Sequence, residues 1–451
     1  MKIRIYILSI IISTAGAVSS RAQQTDYVPD ALKSYIETAL SQNPDVMASR
    51  SRLRNTDAKV SEARAGLIPH LDFVSRFTQY SGGRVINIPN VGEFNTSGLG
   101  IVPWDNKFEM VWPIGNYAVW QGMDISSSFR DASTAEVSAK ELTIGYQVTE
   151  AYYNYAKTAE LVAIRQNADT LASENLRMAQ ALFANDKAPK NDVLRAEVGV
   201  AQAEGDVISA RNMAILAQTN FNSLLKRDYN QSVNLPKSEE ISALLASNNL
   251  ASTSVGNAGN DMPSLEEDAH RAYANRPELI QLQKTGEALG ATKRAMWADY
   301  LPVISLFASY GWQETDLKFS SQNDLLLGGV QLQWNFFSGF GTGAKVAEQE
   351  AQIEELRYQA ESAVSAITLE LESARLGKVD ATQRLGIARK LLTSAEENYR
   401  IVKAQYDNGL SPLITLIDAQ TTLSNAKANL TTTTYDLLIA TAKYKKALGV
   451  R

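Results

Sequence analysis

The chain repeats itself, and the repetition limits its architecture before any composition is weighed. Downstream of Asn408-Gly409-Leu410-Ser411-Pro412, Leu416, Leu423, Leu430, Leu437 and Tyr444 recur at every seventh position. Ala419, Ala426, Thr433 and Ala440 run three places behind them. The offset that carries Leu416 back to Val193 carries the rest of that series to Val200, Val207, Ala214 and Phe221 without a gap. It carries the second series to Ala196, Ala203, Ala210 and Ala217, Pro412 to Pro189, and Tyr406 to Phe183. A seam of large residues beside a seam of alanines is the pattern of closely packed coiled-coil helices, here written twice.

The turn is encoded in the same stretch. Gly409 suits the left-handed conformation that ends a helix. Ser411 is then predicted to cap the next helix, with Pro412 at its first position, where no N–H is required. The first copy has Asp186 in place of the glycine, a tolerable but less comfortable residue there. Each element reads as helix, tight turn, helix.

A second shared offset links Asn43-Pro44-Asp45 to Arg276-Pro277-Glu278 and Ile68-Pro69 to Leu301-Pro302. The predicted organisation is therefore a signal peptide at 1–22, a first repeat at 23–230, an equatorial linker at 231–264 and a second repeat at 265–451. Lys2 and Arg4, the apolar run Ile5 to Val18 and the small-x-small site Ser20-Arg21-Ala22 carry the signal reading. An uncleaved anchor is the alternative, for which the apolar run is short.

Each repeat opens on helix, from Pro29 to Gly66 in the first, with Pro44 as an early break. Past Pro69 and Pro302 the periodicity changes from helical to alternating. Leu71, Phe73 and Phe77 oppose Asp72, Arg76 and Thr78, and Ile304, Leu306, Tyr310 and Trp312 take the matching face in the second copy. Before each long helix comes another such segment: Phe108, Met110, Trp112 and Ile114, then Val330, Leu332, Trp334 and Phe336 against Gln331, Gln333 and Asn335. These are four strands of about 10–13 residues, enough to cross a bilayer when tilted. A soluble sheet with one face on a core would alternate in the same way. Export, aromatic residues near strand ends (Trp120, Tyr310, Trp312, Trp334) and a polar face holding Asp72 and Arg76 favour a barrel with a wet lumen. Four strands do not close a barrel, and an open edge in lipid leaves backbone groups unpaired. The barrel is therefore predicted to be shared between chains, with eight, twelve or sixteen strands.

Loops at Ser81 to Asn106 and Thr315 to Asp324 are expected at the outer surface. Long helices are predicted from Ser127 to Phe183 and Ala344 to Tyr406, with returns from Pro189 to Arg227 and Pro412 to Ala447. A helix of this size is about 90 Å long, more than a compact domain uses and suited to a tube. Tyr229 to Pro263 breaks the helical pattern, and its Ser/Asn/Gly-rich part reads as a mobile connection. Gly339-Phe340-Gly341-Thr342-Gly343 looks like a fragment of a phosphate-cradling loop. It lacks the GxGxxG spacing and follows an amphipathic strand, so it reads as a strand-to-helix elbow.

Composition removes several classes of function. The 451 residues include no cysteine, two histidines (His70 and His270) and a net charge of −5. Disulfides and thiolate chemistry are excluded, and no basic patch points to nucleic acid. No nucleophile–base constellation or metal-ligand spacing emerges, and pairs such as Glu354-Glu355 and Glu396-Glu397 read as solvated helix faces. Neither an enzyme nor a cofactor is predicted. An exported coiled-coil scaffold would share the heptads but leaves the duplicated strand pairs unexplained.

The duplicated order of helix, strand pair and long hairpin resembles the outer membrane efflux protein family typified by TolC, over essentially the whole mature chain. So do the strings Arg276-Pro277-Glu278-Leu279, Tyr300-Leu301-Pro302 and Trp334-Asn335-Phe336-Phe337-Ser338-Gly339. The tip Tyr406-x-x-Gly409-Leu410-Ser411-Pro412, leading to Asp418-Ala419-Gln420-x-x-Leu423, completes the resemblance. It implies a mainly α chain with four strands and two long hairpins. Three such chains would form a homotrimer, a twelve-stranded barrel in outer membrane lipid continued by a twelve-helix periplasmic tunnel. It further implies a passive exit duct of a tripartite efflux or type I secretion system. A periplasmic adaptor and an inner membrane pump would complete the duct, and the helix tips would open it like an iris.

The resemblance also carries a gate. Tyr406 matches the family's tip tyrosine and Asp192 its partner, with Asn191 in place of a threonine. Ser411 stands where a basic residue often follows the tip glycine. Of two aspartate positions ringing the mouth, the first is Thr415 and the second Asp418. Lys187, Pro189, Lys190, Gly409, Leu410 and Pro412 are candidate adaptor contacts. Three Asp418 carboxylates around an axis would attract cations. Asp418 is also where a helix dipole favours a negative charge, and Tyr406 as seam packing stands beside Tyr406 as a latch.

Overall fold

The computed structural model describes residues 29–78, 85–88, 92–95, 104–247, 264–314 and 324–450. The predicted signal, the connection at 248–263 and parts of both predicted outer loops lie outside these residues. The order is α1 (Asp30–Gln42), α2 (Pro44–Ala65), β1 (His70–Phe77), β2 (Val85–Ile88), β3 (Gly92–Asn95), β4 (Trp104–Gly115), α3 (Tyr117–Ala184) and α4 (Lys190–Leu224). There follow α5 (Ser238–Ser247), α6 (Leu265–Asn275), α7 (Pro277–Trp297), β5 (Val303–Glu314), β6 (Asp324–Gln333), α8 (Gly341–Asp407) and α9 (Leu413–Ala447).

The prolines act as the sequence implies. Asn43 accepts a hydrogen bond from the Asp45 N–H and Pro44 sits at the start of α2, where its missing N–H leaves no bond unmade. Pro277 starts α7 in the same way.

One antiparallel sheet has the order β1-β4-β5-β6. Its register puts Phe73 beside Phe108, Phe108 beside Tyr310, and Tyr310 beside Leu326, so one face is apolar from edge to edge. The other face carries Asp72, Arg76, Asp105, Lys107, Glu109, Ser309 and Gln331, and Lys107 pairs with Glu109 at 2.5 Å. The apolar face is the one that lipid accepts. Among the described residues neither β1 nor β6 has a second partner, so both outer edges of the sheet are open there. Among the described residues, no helix is long and apolar enough to cross a membrane.

Several expectations are corrected. Trp312 lies two residues from the end of β5, as expected, but it is 8% exposed, packed against Phe73, Phe108 and Tyr310. Trp120 lies on the first turn of α3 rather than at a strand end. β6 stops at Gln333, so Trp334 and Phe336 lie beyond it, and β1 spans eight residues. The first long helix begins at Tyr117, well before Ser127, because Asn116 accepts from the Ala118 N–H and caps it there. The predicted first outer loop contains the β2–β3 hairpin. The linker contains α5, whose Ile241, Leu244 and Leu245 are buried in the equatorial core.

With 68 residues α3 is about 100 Å long. Close to the sheet it packs on α2 and α7, and α7 packs on α8. Farther away α3 packs on α4 and α9, and α9 on α8. Each level is thus four helices across, with the sheet at one end and two hairpin tips at the other. Where the levels meet, Leu32, Tyr152, Phe221, Leu225 and Leu437 form the largest core.

Candidate functional site

The two tips are built from one set of bonds. At the first, Asn185 Nδ2 donates to the Ala181 carbonyl at 2.7 Å, and at the second Asn408 Nδ2 donates to Ala404 at 2.7 Å. The Asp186 N–H bonds Phe183 and the Lys187 N–H bonds Leu182, while the Gly409 N–H bonds Tyr406 and the Leu410 N–H bonds Gln405. This paired closure of the last carbonyls requires a left-handed residue. Asp186 supplies it at φ 54° and Gly409 at φ 74°. The next helix does not begin as predicted. Pro412 and Pro189 are the N-caps themselves, at ψ 156° and 151°, and neither makes a side-chain cap bond. A proline at that position fixes the extended entry, so Ser411 lies outside the helix and caps nothing.

The tips enclose a cleft of about 530 Å³. It brings together Asp192, Tyr406, Ser411, Lys187 and the turn residues Pro189, Gly409 and Pro412. Tyr406 is half-buried against a cluster that includes Val402, Leu413 and Leu416, and its hydroxyl is buried without a hydrogen-bond partner. Burial raises the Tyr406 pKa above its ordinary value, and the nearby negative charges of Asp192 and Asp407 raise it further. The phenol is therefore a neutral donor aimed into a space edged by carboxylates, and Asp192 is its neighbour without being bonded to it.

The remaining predicted residues stand apart. Asn191 and Lys190 are exposed, and Leu410 is 80% exposed at the extreme tip. Thr415 is half-buried and Asp418 exposed on α9 above the cleft, and neither lines it. Sequence reasoning missed a polar layer one step higher. There buried Asn175 donates to Gln420, and Arg165 reaches Asn425 at 3.3 Å and Asp206 at 3.8 Å. Asn175 and Gln420 interrupt helix faces that are otherwise apolar or alanine-rich, which was the available signal.

A sheet with a lipid-compatible face, extended by helices about 100 Å long that end in paired tips, suits a membrane-embedded protein with a long helical extension. Comparison with known proteins gives that class a family. The profile of the outer membrane efflux protein family matches residues 35–225 and 269–450, and the chain belongs to this family. It is similar to outer membrane protein TolC of Salmonella enteritidis, 21% identical over 431 residues that cover 92% of this chain and 81% of that protein. It is also similar to nodulation protein T of Rhizobium leguminosarum bv. trifolii, at 22% over 434 residues, covering 93% and 85%. The structure of CusC superposes with a TM-score of 0.74 at 14% identity, covering 96% of each chain. The protein is thus an outer membrane efflux protein.

Proposed function

We propose that three copies of the chain form a passive exit duct, a twelve-stranded barrel continued by a twelve-helix tunnel. The observation that carries this is the four-stranded sheet with an apolar face and two open edges. In lipid each unpaired backbone group is costly, and closure with other copies satisfies them all. The repeats, 23–230 and 265–451, each contribute a strand pair and a hairpin to the wall. The duct performs no catalysis; a periplasmic adaptor and an inner membrane pump supply cargo and energy, in tripartite efflux or type I secretion.

The tips form the gate in this reading, and opening splays the hairpins apart. The support is the tip cleft, where Tyr406 and Asp192 meet across two hairpins and the Tyr406 hydroxyl lacks a fixed partner. Few contacts hold such a junction, so small changes would open it. Asp418, exposed above the cleft, would line the mouth and favour cations. Lys187, Lys190 and Leu410 face the adaptor.

The test is purification followed by planar-bilayer recording. The duct reading expects a detergent-requiring trimer with channel activity, and a monomer in plain buffer would contradict it. Tyr406→Ala combined with Asp192→Ala, which removes the packed ring and the carboxylate beside it, is expected to raise single-channel conductance. Unchanged conductance would remove the latch and leave the duct standing.

A further inference from the structure

The face of the sheet opposite the lipid-compatible one is not uniformly polar. One row across it joins Asp72, Glu109, Ser309 and Leu327. The next row toward the helices joins His70, Val111, Phe307 and Gly329. Beyond that, Ser305 pairs with Gln331 and Val303 with Gln333. Among the described residues, Phe307 is the one phenylalanine, tyrosine or tryptophan on this face of the paired rows. The other strand aromatics, among them Phe73, Phe108, Tyr310 and Trp312, share the opposite face.

Two glycines on the polar face are covered by side chains from a neighbouring strand. A Cβ on Gly311 would lie 2.6 Å from Lys107 Cβ, and the Lys107 ammonium continues to Glu109 at 2.5 Å. A Cβ on Gly329 would lie 3.0 Å from Phe307 Cζ and 3.1 Å from Cε1. The Phe307 ring therefore leans across β6 and fills the space a side chain there would take. An aromatic ring laid over a cross-strand glycine is a packing device, and beneath a dry core it would be nothing more. Here the surrounding rows are ionic or polar, and Phe307 is only half-buried.

We propose that Phe307 is an aromatic subsite in the bore, for organic cations with aromatic bodies. The inference rests on the shared barrel proposed above, in which closure sets three Phe307 rings at one height around the lumen. A ring face attracts a cation and stacks against a second ring. On the same face Asp72, Asp105 and Glu109 stand against Arg76 and Lys107, so the wall is net negative and favours the approach of a cation. The ring adds what charge alone does not supply: preference for a solute with an aromatic body over another cation of the same charge. The contact is weak, as passage requires, since a solute held tightly would plug the bore.

The test uses the full chain in planar bilayers, with ethidium added on the loop side so that it meets the barrel before the tips. Ethidium is expected to block potassium current at lower concentration than tetrabutylammonium, which has no ring. Phe307→Leu keeps an apolar cover on Gly329 and removes the ring. Its ethidium block is expected to weaken about two- to fivefold, the size of an exposed cation–ring contact, with tetrabutylammonium block and potassium conductance unchanged. Phe307→Tyr should keep the block. An unchanged ethidium block in Phe307→Leu, or equal weakening for both cations, would overturn the subsite. If the leucine variant does not assemble, Phe307→Met is read in the same way. No channel in the unaltered protein would refute the duct, a different failure from that of the subsite.

Discussion

Helices α4 and α9 hold matching places in the two repeats and have the same length, 35 residues, yet only one is finished inside the chain. α9 lies between α3 and α8 and buries Leu416, Leu423, Leu437, Leu438 and Tyr444. α4 has α3 on one side and little on the other. Its Leu194, Val198, Ile208, Ile215 and Leu216 remain exposed. On the opposite flank α8 exposes Leu369, Leu376, Ile387, Leu391 and Ile401. Duplication gave the chain two hairpins, but a row has two ends. The α4 end and the α8 end carry the apolar residues that an interior helix has already buried. This asymmetry supports the proposed trimer, in which α4 would meet α8 of another copy.

The largest contrast is expected from leucines of the two helices. Leu437→Ala removes a fully buried side chain of the equatorial core and should cost about 2–5 kcal/mol. Leu216→Ala should change the stability of an isolated chain by less than about 0.5 kcal/mol. Denaturant unfolding in detergent reads both, and equal losses would break the comparison. Next, Ile208→Glu with Ile215→Glu places charges on the open face of α4. The trimer band on a mild detergent gel should disappear while circular dichroism keeps its helical signal. A persisting trimer would move the interface elsewhere.

The left-handed positions sharpen the same comparison. The second repeat has glycine at both, Gly409 and Gly449, where the first has Asp186 and Lys226. A Cβ on Gly449 would lie 2.8 Å from the Asn275 backbone, whereas one on Gly409 meets open space. Gly449→Ala should therefore lower the melting temperature most. Gly409→Ala should cost about 1–2 kcal/mol from backbone strain alone, and Asp186→Gly should stabilise by up to about 1 kcal/mol.

The smallest expected effect is on pH dependence. At the offset pairing Tyr406 with Phe183, Glu370 falls on Gln147 and Lys446 on Ser223, so this ion-pair cluster has no counterpart in the first repeat. Burial pushes the Glu370 pKa up, but hydrogen bonds from Arg276 and Lys446 outweigh it, and the net shift is downward. A depressed carboxylate stabilises the fold above its unfolded value, near 4.5, and that contribution is lost as pH falls through the lower folded value. Glu370→Gln should flatten the acid limb of the stability curve, and an unchanged limb would place the acid sensitivity elsewhere.

Much of the fold was legible because it rests on periodicity. Seven-residue seams, alternating strands and paired prolines are local signals that survive without tertiary information. Most of the misses share a cause: they depended on a contact between distant residues. α5 is short, and its Ile241, Leu244 and Leu245 are explained only by the core they meet. Trp112 and Trp334 were legible as aromatics of the alternating segments, but the bonds from their N–H groups to the Leu67 and Tyr300 carbonyls were not. At the tip, Tyr406 and Asp192 do line one cleft, but the empty bonding position of the phenol was not readable from spacing. Ser411 failed as a cap because Pro412 takes that position itself.

Counting equal rise from the two tips sets Ile208 of α4 level with Ile387 to Leu391 of α8. Ile208→Cys and Ile387→Cys on the otherwise cysteine-free chain, oxidised in native outer membranes, address the account at its centre. Covalent dimers and trimers that require both cysteines are the predicted result. A lone monomer band, with both thiols open to a water-soluble maleimide, would contradict the shared wall.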